Sequence, residues 1–465
     1  MKKFLIVFIV SILASCNSFV ENVSEFDPTR PTDADLALVV TGMEVEYMST
    51  MEGELARNTG MWSGYFTGAD RQYIPYYNYT TTALDYDSPW GNIYAFVLKQ
   101  SRIVQSKATA LNNRLTLGVG QFIEAHVMGT AAALWGDIPY SQAIDQAHFP
   151  NPVYDPQQQV IDNLITLLDQ SIGNLTSNVG NLNGDYISGG GAPGVILPGN
   201  ASLWAKAAYS LKARYLLYKK DYAGALAAAA QGIDATASNL LAPHGTANDQ
   251  NRNIFYDFHE RQRAGYLNAQ GAYLAQLLDG NVAGNRNHAK TDETARFKFY
   301  YTGSSPNYDI NVSSKGLFGS ASSFPLMTAY ETLLIIAECE TRLNGVTAGV
   351  TALNNHRALL RAAFATGTYD DFDPTDFAAG GIENGDQIAD ADALLREILE
   401  EKYTSMCGQI EVFSEIRRTG NAVGVPINSG TQLPQRFLYP QAEINSNTSV
   451  PKPIPGIFEK TTLFQ

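Results

Sequence analysis

Apolar positions recur at three- and four-residue spacing over most of this chain, the periodicity of helices that bury one face. In the clearest stretch Phe122, Ile123, Val127, Met128, Ala131 and Leu134 share a face of a helix over 112–135, followed by the corner Trp135-Gly136-Asp137-Ile138-Pro139-Tyr140. Gly136 can take the left-handed conformation that ends a helix, and Pro139 blocks its resumption. The same spacing predicts a helix over 35–56, through Leu36, Val39, Val40, Met43, Tyr47 and Met51, with Thr32 or Asp33 as its cap. Another is predicted over 155–175, through Val160, Ile161, Leu164, Leu168 and Ile172. Further helices are expected over 90–106, over 203–219 with Ser202 as cap, and over 222–235, 265–278, 328–343, 347–365, 391–407 and 413–418.

Between the helices the period fails in three long insertions, at about 57–90, 177–200 and 239–325. The first is rich in rings, with Trp62, Tyr65, Phe66, Tyr73, Tyr76, Tyr77, Tyr79, Tyr86 and Trp90 interleaved with Gly64, Gly68, Pro75 and Pro89. A loop of this kind either folds its rings onto the protein or offers them to a partner. Two helix pairs share one plan. Lys220-Asp221 joins the helices over 203–219 and 222–235, Asn344-Gly345 joins those over 328–343 and 347–365, and each second helix carries small residues such as Ala225, Ala228, Ala348 and Ala352. Small side chains let a helix lie close to its neighbour. Helix, short turn and Ala-rich helix resembles the tetratricopeptide unit, and two units so far apart point to a larger helical scaffold with insertions.

The start of the chain bears on the compartment. Met1-Lys2-Lys3 and the apolar run Phe4 to Leu13 have the order and length of a signal peptide, expected over 1–15. Leu13-Ala14-Ser15-Cys16 resembles the bacterial lipobox, which makes Cys16 the expected lipidation site. A polar, Pro-containing stretch over 16–33 reads as a tether to a single folded domain over 34–465. The net charge of −14 and the absence of any Lys/Arg run argue against nucleic acid as a partner. Cys339 and Cys407 are the other cysteines, and one disulfide between them is open.

Catalytic and metal chemistry find little support. Asp85 and Asp87 beside the aromatic loop are the carboxylates nearest a glycoside hydrolase arrangement, and nothing in their spacing singles them out. The six histidines have no zinc-ligand spacing. The acidic stretches Asp370 to Asp376 and Asn384 to Asp390 could supply oxygens to a structural calcium ion, although neither follows the pattern of the calcium loop of about twelve residues. No cofactor is expected otherwise. Aromatic faces stack on the CH faces of sugars while guanidinium and amide groups fix the hydroxyls. On that composition Trp62, Phe66, Arg71, Tyr73, Tyr76 and Tyr77 are the expected ligand-binding residues.

Leu134-Trp135-Gly136-Asp137-Ile138-Pro139-Tyr140-Ser141-Gln142-Ala143 resembles the signature corner of the SusD/RagB family of nutrient-binding outer-membrane lipoproteins. The resemblance extends to Trp90-x-x-x-Tyr94, the helix pair over 202–233, Ala337-Glu338 with its partner helix through Arg357, and Glu400-Glu401-Lys402. It implies an all-α fold of tetratricopeptide-like pairs with irregular insertions and no catalysis. It further implies a lipid-anchored protein of the outer membrane, facing the cell exterior, that lies as a lid over a SusC-like TonB-dependent barrel and captures an oligosaccharide or other oligomeric nutrient. Trp90 and Tyr94 match positions expected to be structural. The alternatives are a helical-repeat scaffold for surface complexes and, behind it, a surface hydrolase.

Overall fold

The computed structural model describes residues 34–189, 199–246 and 251–465. The signal peptide, Cys16, the tether through 33 and its capping residues therefore lie outside the described residues, as do 190–198 of the second insertion. Helix α1 (Leu36–Glu52) is capped by Asp35, whose carboxylate accepts from the Ala37 amide at 2.8 Å. Gly53 interrupts what reads as one helix, and α2 (Glu54–Trp62) then takes the first residues of the expected aromatic loop. Short helices at Tyr73–Tyr77 and Asp87–Gly91 follow, and a π-helical segment, Asn92–Leu98, leads into α3 (Lys99–Ala110).

The scaffold continues as α4 (Arg114–Trp135), α5 (Gln157–Leu175), α6 (Ala201–Tyr218) and α7 (Tyr222–Ala229). After the third insertion come α8 (Ala329–Asn344), α9 (Val346–Ala363), α10 (Asp390–Ser405) and α11 (Glu411–Arg418). From α3 to α9 each helix packs on the next, and α10 packs on α8. Asn200, not Ser202, caps α6, because its side chain accepts from the Ser202 amide at 3.0 Å. The two pairs separated by about a hundred residues of sequence are neighbours in space: Ala225, Ala228 and Ala229 of α7 share a core with Ile335 and Cys339 of α8. Helices can approach so closely only where side chains are small. Gly129 of α4 lies where an added Cβ would strike the ring of Tyr215 on α6, whose hydroxyl donates to the Ala125 carbonyl at 2.8 Å. Cys339 and Cys407 are buried free thiols.

Among the described residues the β structure is three two-stranded antiparallel ribbons formed by β1 (Thr67–Gly68), β2 (Leu240–Ala242), β3 (Leu267–Asn268), β4 (Tyr301–Ser304), β5 (Asn307–Ile310) and β6 (Phe324–Met327). β2 pairs with β6, so the 239–325 insertion leaves and rejoins the scaffold at one place. β4 and β5 form a hairpin. β1 pairs with β3, tying the aromatic loop to the insertion. This last ribbon corrects the helix expected over 265–278, of which only Tyr273–Leu278 is helical. Gly271 there adopts φ 70°, a left-handed conformation that breaks the run.

The Trp135 corner is a buried hub. Gly136 takes φ 87°, as a helix stop requires. The Trp135 indole N–H donates to the Leu438 carbonyl at 2.8 Å, and the Phe437 amide donates to the Leu134 carbonyl at 2.8 Å. The Asp155 carboxylate accepts from the amides of Tyr140 (2.9 Å) and Ser141 (2.8 Å). Trp90 lies edge-on to Trp135 with centroids 5.3 Å apart, and the Tyr94 hydroxyl donates to the Pro139 carbonyl at 2.7 Å. The corner thus holds the C-terminal segment against the scaffold.

Candidate functional site

The aromatic loop turns most of its rings inward. Trp62 is 1% exposed, donates its indole N–H to the Tyr76 carbonyl at 2.8 Å, and meets Phe413 and Phe437 edge-on at 5.4 and 5.0 Å. Phe66 is equally buried, against Phe255 and Phe318. The Tyr73 hydroxyl accepts from the Arg57 Nε at 2.9 Å, and its ring packs on Phe258. The Tyr76 hydroxyl donates to the Asp85 carbonyl at 2.9 Å. Burial pushes both phenols up from their ordinary pKa. Trp62, Phe66, Tyr73 and Tyr76 therefore present no ring face to a ligand in this structure, contrary to the expectation for them. The physical reason is the size of the reward: covering a large ring contributes about 1.5–3 kcal/mol, and the loop is long enough to reach the core.

Arg71 and Tyr77 remain accessible, Arg71 largely, beside the Asp70 carboxylate at 3.6 Å, and Tyr77 in part. Arg71 adopts φ 46°, uncommon for a side chain of its size. Its guanidinium stands 5.6 Å from the ring centroid of Tyr266, across the β1–β3 ribbon, and that of Arg263 stands 5.9 Å from the same ring. Tyr266 is half-buried and flanked by two cations, each contact being worth about 0.5–1 kcal/mol at an exposed site. Ile74, 42% exposed, extends the surface on the loop side. On the insertion side Arg252 lies 5.6 Å from the Tyr256 ring. His259 bridges Glu260 (2.8 Å) and Asp309 (3.0 Å); burial opposes its charge, but these carboxylates outweigh burial and raise its pKa. The face thus offers a ring and planar cationic donors, a set that can stack on a sugar and hydrogen-bond its hydroxyls.

Arg263 and Tyr266 escaped the sequence reading because the helix expected over 265–278 absorbed Tyr266. The signal was Arg261-Gln262-Arg263-Ala264-Gly265-Tyr266, two cations and a ring around a glycine.

The other candidates are occupied in structural roles. Asp85 caps a turn by accepting from the Thr82 amide at 2.7 Å, and Asp87 accepts from the Ala442 amide at 2.9 Å. In the acidic stretches Lys290 pairs with Asp373 (3.2 Å) and Asp376 (2.6 Å), Arg361 with Asp371 (2.7 Å) and Arg396 with Asp386 (2.7 Å). Among the described residues no three His, Cys, Asp or Glu side chains converge to hold a metal ion. None of the described helices is long and apolar enough to cross a membrane.

The SusD-like family model, described as starch-binding and associating with the outer membrane, matches residues 28–440. No curated protein matches the chain. Among solved structures, a SusD homologue from Bacteroides fragilis superposes with a TM-score of 0.69 at 16% identity, over 92% of this chain and 100% of its own. A SusD/RagB family protein from Bacteroides thetaiotaomicron gives a TM-score of 0.61 at 18% identity, over 90% and 95%. A chitin-binding protein gives 0.63 at 18% identity, over 89% and 94%. With a family match over nearly the whole chain and this all-α fold, the chain belongs to the SusD-like family of starch-binding proteins associated with the outer membrane, and it is a binding protein rather than an enzyme.

Proposed function

We propose that this protein captures an oligosaccharide, or another oligomeric nutrient, as the lid of a SusC-like TonB-dependent transporter on the exterior of the outer membrane. The observation that carries the reading is the Tyr266 ring with the guanidinium groups of Arg71 and Arg263 at 5.6 and 5.9 Å from its centroid, on a face built jointly by the aromatic loop and the insertion. The similarity to a chitin-binding protein supports a glycan as the ligand class. The helical scaffold would then supply the surface that meets the barrel. Anchorage would come from acyl chains on Cys16, each buried methylene contributing about 0.8 kcal/mol.

Two experiments test this. In calorimetric titration against malto-oligosaccharides and chitin oligosaccharides, Tyr266→Ala and Arg71→Ala are each expected to weaken binding by about tenfold, since one ring or charged contact is worth about 1–1.5 kcal/mol. The melting temperature of Arg71→Ala should stay at the wild-type value, because that side chain is exposed, whereas Tyr266→Ala should lower it modestly, because the half-buried ring also packs on Tyr73. Undiminished affinity in both variants would remove the face from consideration. In cells, Cys16→Ala is expected to move the protein from the membrane fraction to the soluble one; retention in the membrane would refute lipid anchorage.

A further inference from the structure

A cavity of about 730 Å³ opens between the end of α9, the segment following α10 and the later part of the insertion. It shares no residue with the Tyr266 face. Leu241, Phe299, Leu317, Pro325, Leu360 and Phe364 give it an apolar part, with Asn239, Asn311, Ser323 and Thr328 among its polar lining, and the rings of Phe299 and Phe364 lie 5.7 Å apart. Tyr330 adds a third ring, its edge turned to His356. Two features set this cavity apart from a gap in packing. No carboxylate lines it, in a chain with 46 acidic residues, whereas Lys298 and Lys315 both do. Both lysines are exposed, and among the described residues neither pairs with an acid. Gln409 also lines it, is 2% exposed, and its side-chain carbonyl has no hydrogen-bond partner among the described residues. A buried acceptor left unpaired is costly, and a bound donor would remove the cost.

We propose that this cavity binds an organic anion with an aromatic body. Its acidic group meets Lys298 and Lys315 in solvent, its ring lies among Phe299, Phe364 and Tyr330, and its buried end donates a hydrogen bond to Gln409. A hydroxy-aromatic carboxylate is the simplest compound with all three features. A neutral oligosaccharide would leave Lys298 and Lys315 without a counter-charge. The inference is independent of glycan capture on the Tyr266 face, since either site can be lost without the other.

The test is fluorescence titration of the purified protein with 1-anilinonaphthalene-8-sulfonate, an aromatic anion, and with neutral N-phenyl-1-naphthylamine. Reversing both exposed lysines, in Lys298→Glu with Lys315→Glu, is expected to weaken the anionic probe by about tenfold and to leave the neutral probe unchanged, since two surface charge contacts are being inverted. Equal affinity of the anionic probe for both proteins would overturn the proposal. If the neutral probe weakens as well, the milder pair Lys298→Gln and Lys315→Gln decides by the same criterion. A second arm displaces the probe from wild type and from Gln409→Leu with 4-hydroxycinnamate and with cinnamate. Selective weakening of the hydroxylated acid in Gln409→Leu supports the buried hydrogen bond. Equal response of the two acids, or displacement by the methyl esters as effective as by the acids, refutes the assigned ligand class.

Discussion

Trp62→Ala is expected to destabilise the protein by about 3–5 kcal/mol, the cost of removing a large ring from a close-packed core. The ring is 1% exposed and is held edge-on by Tyr79, Phe413 and Phe437, residues from the aromatic loop, α11 and the C-terminal segment. The cavity left behind would lie where these three parts of the chain meet, so little relaxation can fill it. The substitution also leaves the Tyr76 carbonyl without its indole donor. Urea unfolding followed by circular dichroism reads the effect as a shift of the midpoint at constant slope. Ligand affinity of the fraction that remains folded should be close to wild type. A stable Trp62→Ala protein that no longer binds sugars would restore this ring to the ligand site.

Arg214→Met should cost as much, by a different route. The Arg214 side chain is 2% exposed and reaches Glu331 at 2.6 Å and Glu411 at 2.9 Å, joining α6 to α8 and α11. Methionine fills similar space without charge, and two buried carboxylates lose their cation. Removing one partner of a buried pair typically costs about 3–5 kcal/mol, more than the pair itself contributes relative to an apolar core. The effect depends on pH with a definite sign. Burial alone would raise the Glu411 carboxyl, but the Arg214 charge and the contact with His126 outweigh it and carry it down to about 2. A carboxyl depressed in the folded state adds stability that is fully present above its unfolded pKa, about 4.5, and is lost as pH falls toward 2. His126, lowered mainly by burial, acts in the same direction below its unfolded value of 6.5. The stability gap between wild type and Arg214→Met is therefore expected to narrow as the solution is acidified from about pH 6 to pH 3, as the unpaired carboxylates of the variant take up protons. A gap constant over that range would show that the arginine acts through packing.

The ring of Tyr266 and the burial of Trp62 illustrate one limit on reading a site from a sequence. Trp62, Tyr73 and Tyr76 have the composition of a sugar platform, and composition cannot distinguish a ring covered by a ligand from a ring covered by the protein. Arg71 was legible as the cation of the aromatic loop, but its partner stands nearly two hundred residues away and meets it through the pairing of Thr67 with Asn268. Such pairing leaves no mark within either two-residue strand. The cavity near Lys298 and Gln409 was illegible for the same reason, since its walls come from four separated stretches.

The sequence by itself determined most of the scaffold helices and several of their stops. The apolar stripes of α4 and α5, the Gly136 corner and the turns at Lys220-Asp221 and Asn344-Gly345 all appear within a few residues of where periodicity and turn chemistry place them. Helical hydrogen bonds span four residues, so the information that makes a helix is local. The family resemblance, carried by the contiguous corner and by other short segments, was local as well. Tertiary structure alone decided that α7 lies on α8 across the whole insertion, that most rings of the aromatic loop fold into the core, and that Tyr266 stands beside Arg71. Those outcomes depend on which apolar surfaces find each other when water is excluded, and the gain from burial scales with area whatever the distance along the chain.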